Sequence, residues 1–233
     1  MPVQNVKNAS AINVLLYRMY AGATENKLVP IQYHDIYYNI YYFIYMSKPA
    51  FLVFGRFNPP TLGHRVMINK MINSARMAGG VPYIVTTHTR NSIKNPLPQR
   101  TKAKLLRQMY PGINVIGTSK SRPNPFSILD LLKNKHNKFT LVVGSDRVNG
   151  FSRMFSKMNY VNVISGGNRN ANSNSANGIS ATKVRTAMLE DRFNNVRKSM
   201  NHRITDDQLE QLINMIKKEI TTIKKRKMVH AIP

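Results

Sequence analysis

Ten consecutive residues, 55–64 (GRFNPPTLGH), have the side-chain types and the spacing of an anion-binding turn. They follow an apolar run, residues 50–54, and precede a segment whose apolar residues recur at helical spacing. Glycine lets the backbone pass close to a ligand, and two adjacent prolines fix the bend before the helix. Unpaired N–H groups and the positive end of the helix dipole lie at such a helix entrance. The segment therefore predicts a phosphate site between a strand and a helix.

A second segment with hydroxyl and cationic side chains, residues 178–185 (GISATKVR), follows much later in the chain. Between the two segments, residues 141–146 (LVVGSD) join an apolar run to a turn that contains glycine. The first segment looks like the (H/T)xGH signature of the nucleotidyltransferase superfamily, and the second resembles its ISxTxxR motif. Residues 55–59 are similar to the archaeal-type nicotinamide-mononucleotide adenylyltransferases. Two motifs in the family's order are more specific than one glycine-rich loop.

The resemblance implies that an acceptor phosphate attacks the α-phosphate of a nucleoside triphosphate and that pyrophosphate leaves. It implies that His64, Thr61 and Arg185 act on the phosphates, with Thr61 in the place of the first histidine of many relatives. Asp146 either contacts the ribose or helps to hold magnesium, or else it caps a turn. The nucleotide-binding residues that the resemblance implies are Gly55, Arg56, Phe57, Asn58, Gly63, Gly144, Asp146, Ile179, Ser180, Thr182 and Lys183.

The expected acceptor is a phosphorylated small molecule such as nicotinamide mononucleotide, with Lys94 and Arg100 as candidate contacts. Mg²⁺ is expected to arrive on the triphosphate, because the sequence has no dedicated cluster of acidic ligands. The chain also has no tryptophan, with which many relatives stack nicotinamide, so Phe126, Phe151 or Tyr160 would have to replace it.

Two other functions stay open. The first is a cytidylyltransferase that acts on an alcohol or sugar phosphate. The RTEGIS form of the second motif that several such enzymes carry is absent, since Ala176 and Asn177 precede Gly178, which favours adenylyl transfer. The second is a basic nucleic-acid-associated or virion protein that retains the nucleotide fold for binding alone, which the positive charge favours and the intact motifs oppose. The whole arrangement most resembles nucleotidyltransferase-like proteins of large phages and viruses.

The composition is that of a strongly basic globular protein of 233 residues, 42% of them hydrophobic. The 35 lysines and arginines against 10 acidic residues give a formal net charge of +25, which predicts anionic partners. Bound phosphates need only a few cations, so either nucleic acid or a requirement for solubility accounts for the rest. The absence of cysteine fits a reducing compartment, so we expect a cytoplasmic protein, in the host or the virion if it is viral.

From Pro49 onward, short β-branched runs alternate with helical patterns, which predicts an α/β fold. The expected architecture is a Rossmann-like, doubly wound parallel sheet with a C-terminal amphipathic helix. The predicted strands are residues 50–54, 83–87, 114–117, 140–143 and 161–164, and the predicted helices are residues 66–75, 98–110 and 126–135. The C-terminal helix begins at a capping box, Thr205 and Gln208, and its apolar face carries Leu209, Leu212, Ile213, Ile216, Ile220 and Ile223.

We expect three parts along the chain: an N-terminal extension (1–45), a nucleotidyltransferase-like domain (46–192) and a basic helical segment (193–233). One interpretation of the extension is a non-native or poorly ordered start, since the sequence from Met46 is typical of a natural start. The other is a short helix with an added edge strand. Residues 35–45 are apolar but shorter than the ~20 residues of a membrane span, so no membrane helix is expected. Residues 166–178, rich in Asn, Ser and Gly, predict a mobile loop that is either a lid or a surface insertion.

Overall fold

Five parallel strands form the centre of the structure, a computed structural model that describes residues 47–90, 93–167 and 179–229. The strands are β1 (Ala50–Gly55), β2 (Val81–Thr86), β3 (Asn114–Gly117), β4 (Phe139–Val143) and β5 (Val161–Ser165). They lie in the order β3-β2-β1-β4-β5, and every neighbouring pair is parallel. All five predicted strands are confirmed, and their carboxyl ends meet at one edge of the sheet.

Helices cover both faces of this sheet, as the sequence predicted. They are α1 (Arg65–Met77), α2 (Gln99–Met109), α3 (Pro125–Leu132), α4 (Val148–Met154), α5 (Ala181–Leu189), α6 (Phe193–Ser199) and α7 (Asp206–Val229). Short 3₁₀ turns, Leu62–His64 and Ser145–Arg147, precede α1 and α4. The Rossmann-like α/β architecture is therefore confirmed, although the sequence analysis did not predict the short helices α4 and α6.

The predicted end of α3 at residue 135 is wrong. The helix ends at Leu132, whose carbonyl oxygen accepts hydrogen bonds from the N–H groups of Lys135 and His136 at 2.9 and 3.1 Å. These bonds turn the chain back toward β4 in a tight reversal. The polar run that begins at Lys133 therefore forms the turn into the next strand and not a last helical turn.

The two faces of the sheet have separate apolar cores, because alternate residues of each strand point to opposite sides. One core joins Phe51 and Val53 of β1 and Ile84 of β2 to α1, α2, α5, α6 and α7. The other joins Leu52 and Leu141 to α3 and the end of α4. All six predicted apolar residues of α7 are buried, so the C-terminal helix packs on the same face as α1 and α2.

The predicted capping box of α7 is confirmed. The Thr205 N–H donates to the Gln208 Oε1 at 3.2 Å, and the Gln208 N–H donates to the Thr205 Oγ1 at 3.3 Å. None of the helices in the described ranges is long and apolar enough to cross a membrane.

Two regions of the sequence analysis lie outside the described residues: the N-terminal extension, residues 1–45, and residues 168–178 of the predicted loop. The alternatives for both regions stay predictions, as does the division of the chain at residue 192.

Candidate active site

The predicted phosphate-binding turn follows β1 at the carboxyl edge of the sheet. Its Asn58–Pro59 peptide is cis, and Phe57 has a left-handed backbone conformation, with φ of 46° and a fully buried side chain. A Cβ on Gly55 would lie 2.6 Å from the Phe57 ring, so only glycine fits where this ring folds back under the strand end. The Phe57 ring also lies 4.9 Å from that of His64, centroid to centroid. Phe57 therefore supports His64 from inside the protein.

The imidazole of His64 is oriented by Thr61, the buried N-cap of the 3₁₀ turn. The Thr61 N–H donates to the His64 Nδ1 at 3.1 Å, and the Thr61 Oγ1 lies 3.0 Å from the same nitrogen. Because Nδ1 accepts a hydrogen bond, the neutral ring carries its proton on Nε2. Nε2 lies on the side of the ring away from Thr61. His64 is thus oriented to present an N–H group at the entrance of α1.

The two predicted motifs meet at Gly63. A Cβ added to Gly63 would lie 2.9 Å from the carbonyl carbon of Ile179, and closer still to its oxygen, so the backbones of the two segments are in contact. Ser180 is the N-cap of α5, and its Oγ accepts a hydrogen bond from the Lys183 N–H at 3.1 Å. The entrances of α1 and α5 therefore lie side by side, which places their N–H groups and dipoles at one site.

Arg185 connects the same two segments through its side chain, which is only 6% exposed. Its Nη1 donates to the backbone carbonyl of Asn58 at 2.6 Å, and its Nη2 donates to the Thr182 Oγ1 at 3.2 Å. Burial lowers the pKa of Arg185 from its ordinary value, and the positive charge of the nearby Arg56 lowers it further. Among the described residues, neither guanidinium has a carboxylate partner. The site therefore holds two neighbouring cations whose repulsion an anion would relieve.

Gly144 and Asp146 lie at the carboxyl end of β4, beside β1. A Cβ on Gly144 would lie 2.6 Å from the Asp146 Oδ1, so the carboxylate folds back toward the strand end. The Asp146 side chain is 73% exposed, and its Oδ2 lies 4.0 Å from the Nε of Arg147. In the part of the chain that the structure describes, no three His, Cys, Asp or Glu side chains are grouped to hold a metal ion.

The candidate acceptor contacts are less well connected to this site. Lys94 is exposed in the turn before α2, and Arg100 is exposed in the first turn of that helix. Within the described ranges, neither side chain forms a hydrogen bond or an ion pair with a residue of the two motifs. Lys183 also has an exposed side chain, whereas its backbone N–H completes the cap of α5.

The three aromatic residues considered for stacking on the acceptor lie in different parts of the fold. The Tyr160 carbonyl accepts a hydrogen bond from the Phe139 N–H at 2.9 Å, which places this tyrosine at the amino ends of β4 and β5. That is the edge of the sheet opposite the motifs, so this part of the expectation is wrong. Phe126, at the start of α3, and Phe151, in α4, both pack on the buried Phe155, at 4.7 and 6.3 Å between ring centroids, and their contact with an acceptor stays a prediction.

Two buried polar side chains beside the turn were not predicted from the sequence. Asn58 is 2% exposed, and its Oδ1 accepts a hydrogen bond from the Leu97 N–H at 2.9 Å. Lys102 is fully buried in α2, and its Nζ donates to the backbone carbonyl of Thr87 at 2.5 Å. These bonds attach the start of α2 to the ends of β1 and β2.

The signal for Lys102 is present in the sequence. The residue precedes Leu105, Leu106 and Met109 by three, four and seven positions, which places it on the buried face of α2. A lysine at an apolar position of a helical pattern indicates a buried cation.

Solved structures of similar fold include two enzymes. The bifunctional NMN adenylyltransferase/ADP ribose pyrophosphatase of Francisella tularensis, complexed with AMP and a Mn ion, aligns with a TM-score of 0.53 at 15% identity. The alignment covers 80% of this chain but 57% of the Francisella protein, so the chain spans little more than half of that protein's length. The nicotinic acid mononucleotide adenylyltransferase of Plasmodium falciparum, complexed with NaAD, aligns with a TM-score of 0.48 at 15% identity, over 73% of this chain and 95% of that one. At these identities the likeness concerns the fold.

Curated protein sequences give no match to this chain. The family model described as cytidylyltransferase-like matches residues 52–187, a range that includes the turn after β1, the end of β4 and most of α5. Because this match covers more than half of the 233 residues, the chain belongs to the cytidylyltransferase-like family.

Proposed function

We propose that the protein is a nucleotidyltransferase that transfers a nucleoside monophosphate, AMP in the leading hypothesis, from a nucleoside triphosphate to a phosphorylated small molecule. The observation that carries this proposal is the junction of the two motifs. The contact between Gly63 and Ile179 and the hydrogen bond from Arg185 to the Asn58 carbonyl bring the entrances of α1 and α5 together. Family membership supports nucleotidyl transfer as the type of reaction.

In this reaction an oxygen of the acceptor's phosphate forms a new bond to the α-phosphorus, and the bond from that phosphorus to the β-phosphate bridging oxygen breaks. The electron pair of the broken bond leaves with pyrophosphate. No enzyme nucleophile takes part, so the protein contributes alignment of the two reactants and stabilisation of charge. Cations and N–H donors that are already in position are sufficient for both tasks.

Each group of the junction has a role in this scheme. Arg56 and Arg185 supply the positive field for the triphosphate, and the Nε2–H of His64 donates to an oxygen of the α- or β-phosphate. The N–H groups at the start of α5, together with Ser180 and Thr182, hold the β- and γ-phosphates. Magnesium bound to the triphosphate supplies further charge neutralisation, and the exposed carboxylate of Asp146 is the residue at this edge that would contact it or the ribose.

The choice of substrates rests on resemblance. The similarity of residues 55–59 to archaeal-type enzymes favours ATP with nicotinamide mononucleotide, and the fold neighbour from Francisella tularensis is itself named as an NMN adenylyltransferase. The family description leaves CTP with an alcohol or sugar phosphate as the alternative.

Pyrophosphate release tests the proposal. Purified protein with Mg²⁺ is assayed with ATP or CTP and with nicotinamide mononucleotide or glycerol phosphate, beside two variants. We expect His64→Ala to lower kcat/KM by about 10²–10³-fold, the usual cost of one lost transition-state donor. His202→Ala removes an exposed histidine outside the site and should stay within about twofold of wild type. Release with CTP alone would favour the cytidylyl alternative, and no release with any acceptor would contradict catalysis.

We propose nucleic-acid binding as a second candidate function, because the distribution of charge favours it. Between Ser47 and Leu189 the only acidic residues are Asp130 and Asp146. Four exposed lysines lie on segments that meet at the amino ends of β1, β4 and β5, opposite the motifs; this amino-edge patch consists of Lys48, Lys135, Lys138 and Lys157. Hydrogen bonds hold the patch together, from the Ala50 N–H to the Lys138 carbonyl and between His136 and the Lys48 carbonyl.

Tyr160, 43% exposed, lies at the same edge and offers a ring for stacking on a base. The test is the salt dependence of binding to a single-stranded oligonucleotide. Exchanging Lys135 and Lys138 for glutamine should reduce the slope of log K against log salt by roughly 1.4, since each phosphate contact on a single strand contributes about 0.7. The same exchange at the exposed Lys70 and Lys104, on α1 and α2, should leave the slope unchanged. Equal slopes for both double variants would contradict binding at this patch.

A further inference from the structure

Lys102 lies in a position that opposes a positive charge in two ways. Its side chain is fully buried, and burial of an ammonium group is costly unless the group is paired. It also lies in the first turn of α2, where the helix dipole disfavours a cation and which holds no acidic residue. Stability alone therefore gives no reason for a lysine here.

No carboxylate compensates this charge among the described residues, where the only hydrogen bond of the ammonium goes to the Thr87 carbonyl. Three buried polar atoms in the same region also have no hydrogen-bond partner within the described part of the chain: the Oγ1 atoms of Thr86 and Thr87 and the Nδ2 of Asn58. Thr86 is on the β2 face that α2 covers, since it follows Ile84 by two positions. The carboxyl ends of β1 and β2 are thus polar and positively charged beneath the surface.

The bond from Lys102 reaches the phosphate-binding turn through one further step. The Thr87 N–H donates to the Gly55 carbonyl at 3.2 Å, so the residue whose carbonyl Lys102 holds is also bonded to the first residue of the turn. A parallel connection runs from Leu97, just before α2, to Asn58, whose own carbonyl accepts the hydrogen bond from Arg185. The start of α2 is therefore attached to both ends of the segment from Gly55 to Asn58.

We propose that Lys102 is a positioning residue for the transfer reaction: through the Thr87 carbonyl, its buried ammonium holds the turn that carries Arg56 and His64 in reactive geometry. The proposal rests on the proposed transfer function. Lys102 does not touch the substrates. KM rises when a protein loses a contact that it makes equally to the substrate and to the transition state. Lys102 makes no such contact, so its loss should lower kcat and leave KM nearly unchanged.

The protonation of Lys102 gives this role a signature. Burial lowers the pKa of Lys102 to about 8, so the ammonium that fixes Thr87 is lost as the pH rises through that value. A neutral amine donates a weaker hydrogen bond than an ammonium group. Turnover should then fall above pH 8, although the folded protein itself becomes more stable once it no longer buries a positive charge.

The charged and titratable residues on the segments connected to the start of α2 are mostly cationic. They include Arg100 on α2 itself, Arg56 on the turn, His88 after β2 and Arg185 on α5, with Lys218 and Glu219 on α7. Glu219, the carboxylate of this set, forms an ion pair with Arg90. The residues of β3 carry no ionisable side chain.

The decisive experiment compares wild type with Lys102→Met, Lys102→Arg and the control Lys104→Met, an exposed lysine on the same helix. Steady-state rates of pyrophosphate release are measured from pH 6.5 to 9.5, beside thermal unfolding of each protein. At pH 7 we expect Lys102→Met to lose on the order of 10²-fold in kcat, with KM within about threefold and the folded structure retained. Lys104→Met should match wild type. The alkaline fall of wild type should be absent in Lys102→Arg, whose guanidinium stays protonated.

Two results would overturn the proposal: wild-type kcat in Lys102→Met, or the same alkaline fall in Lys102→Arg as in wild type. If Lys102→Met does not fold, the pH profile of Lys102→Arg decides.

A readout without catalysis separates this proposal from the proposed function. Amide hydrogen exchange is measured in wild type and Lys102→Arg at the same pH values, on peptides that cover residues 50–60 and 81–88. We expect wild type to exchange faster than Lys102→Arg above pH 8 and equally at pH 7. If this difference in exchange is seen but the protein releases no pyrophosphate, the proposed reaction is contradicted, whereas the proposal that Lys102 holds the turn is supported. Equal exchange of wild type and Lys102→Arg at every pH would contradict the proposal that Lys102 holds the turn.

Discussion

The contact between the two motifs makes Gly63 the most informative position to alter. Gly63→Ala adds one methyl group where the carbonyl group of Ile179 already lies, with its carbon 2.9 Å from the new Cβ and its oxygen closer. The obstacle is backbone, so no side-chain rotation relieves it. The entrances of α1 and α5 must move apart, and the groups on each side of the triphosphate site move with them.

The size of the effect follows from the distance that the backbones must separate. Relief of the overlap needs a displacement on the order of 1 Å, and a misplacement of this size costs about 10²-fold in rate. That factor corresponds to about 2.7 kcal/mol of transition-state stabilisation. The overlap should also destabilise the fold by about 1–3 kcal/mol, the usual cost of an added methylene in a packed region. A loss in kcat/KM near 10²-fold is therefore expected in a protein that remains folded.

The assay is pyrophosphate release at saturating Mg²⁺, with urea unfolding of each variant to confirm the folded state. Gly150→Ala is the matched control, because no atom lies within 4 Å of its Cβ position and the residue lies within α4. Alanine in a helix interior should add about 0.5–1 kcal/mol of stability there without a change in rate. If Gly63→Ala keeps more than half of the wild-type kcat/KM, the two motifs do not form one catalytic site.

Three further predictions concern side chains of the site and the helix that packs behind it. Arg185→Lys keeps the charge but loses the planar fork that joins Asn58 to Thr182, so pyrophosphate release should fall at least about tenfold in kcat/KM, and an unchanged rate would contradict the bridging role. The buried Lys102, with its pKa lowered to about 8 from 10.5, binds fewer protons in the folded than in the unfolded state between these values. Urea unfolding at pH 7, 8.5 and 10 should therefore show wild type gaining up to about 3 kcal/mol relative to Lys102→Met as the pH rises, whereas a constant difference would refute the burial. Thr205→Ala removes the N-cap of α7 and should cost about 1 kcal/mol, seen as a Tm lower by about 2–4 °C, with Thr222→Ala, late in the same helix, as the control.

The strands and the core helices were predictable because their periodicity reflects burial directly. Residues 114–117 form β3 as predicted, since a β-branched run between two glycine-containing turns has no competing helical pattern. The apolar face of α7 was equally clear, with every predicted residue buried. The end of α3 was missed because a hydrogen-bonded reversal at Leu132, and no proline or glycine, ends the helix.

The polar interior of the site was not predictable in the same way. Asn58 and Lys102 have side chains that are usually exposed, and their burial depends on contacts with Leu97 and Thr87, about 40 and 15 positions away in the chain. A pattern within one segment carries no information on such partners. The spacing of the apolar residues around Lys102 was the one local indication of its burial. This spacing predicts that the lysine is buried but not which group accepts its hydrogen bond.

In the part of the chain that the structure describes, backbone contacts and hydrogen bonds to uncharged acceptors, and not ion pairs, hold the two motifs together. Gly63 contacts the Ile179 backbone, Arg185 donates to a carbonyl and a hydroxyl, and Lys102 donates to a carbonyl. None of these bonds neutralises a cation, so the positive charges of Arg56 and Arg185 stay available to a ligand. An acidic residue in any of these places would have tied the site together more strongly in the free protein, and it would have cancelled the field that a triphosphate requires. The shortage of carboxylates from Ser47 to Leu189 thus has two effects. It leaves the cations at the site available for the proposed chemistry, and it makes the outer surface positively charged.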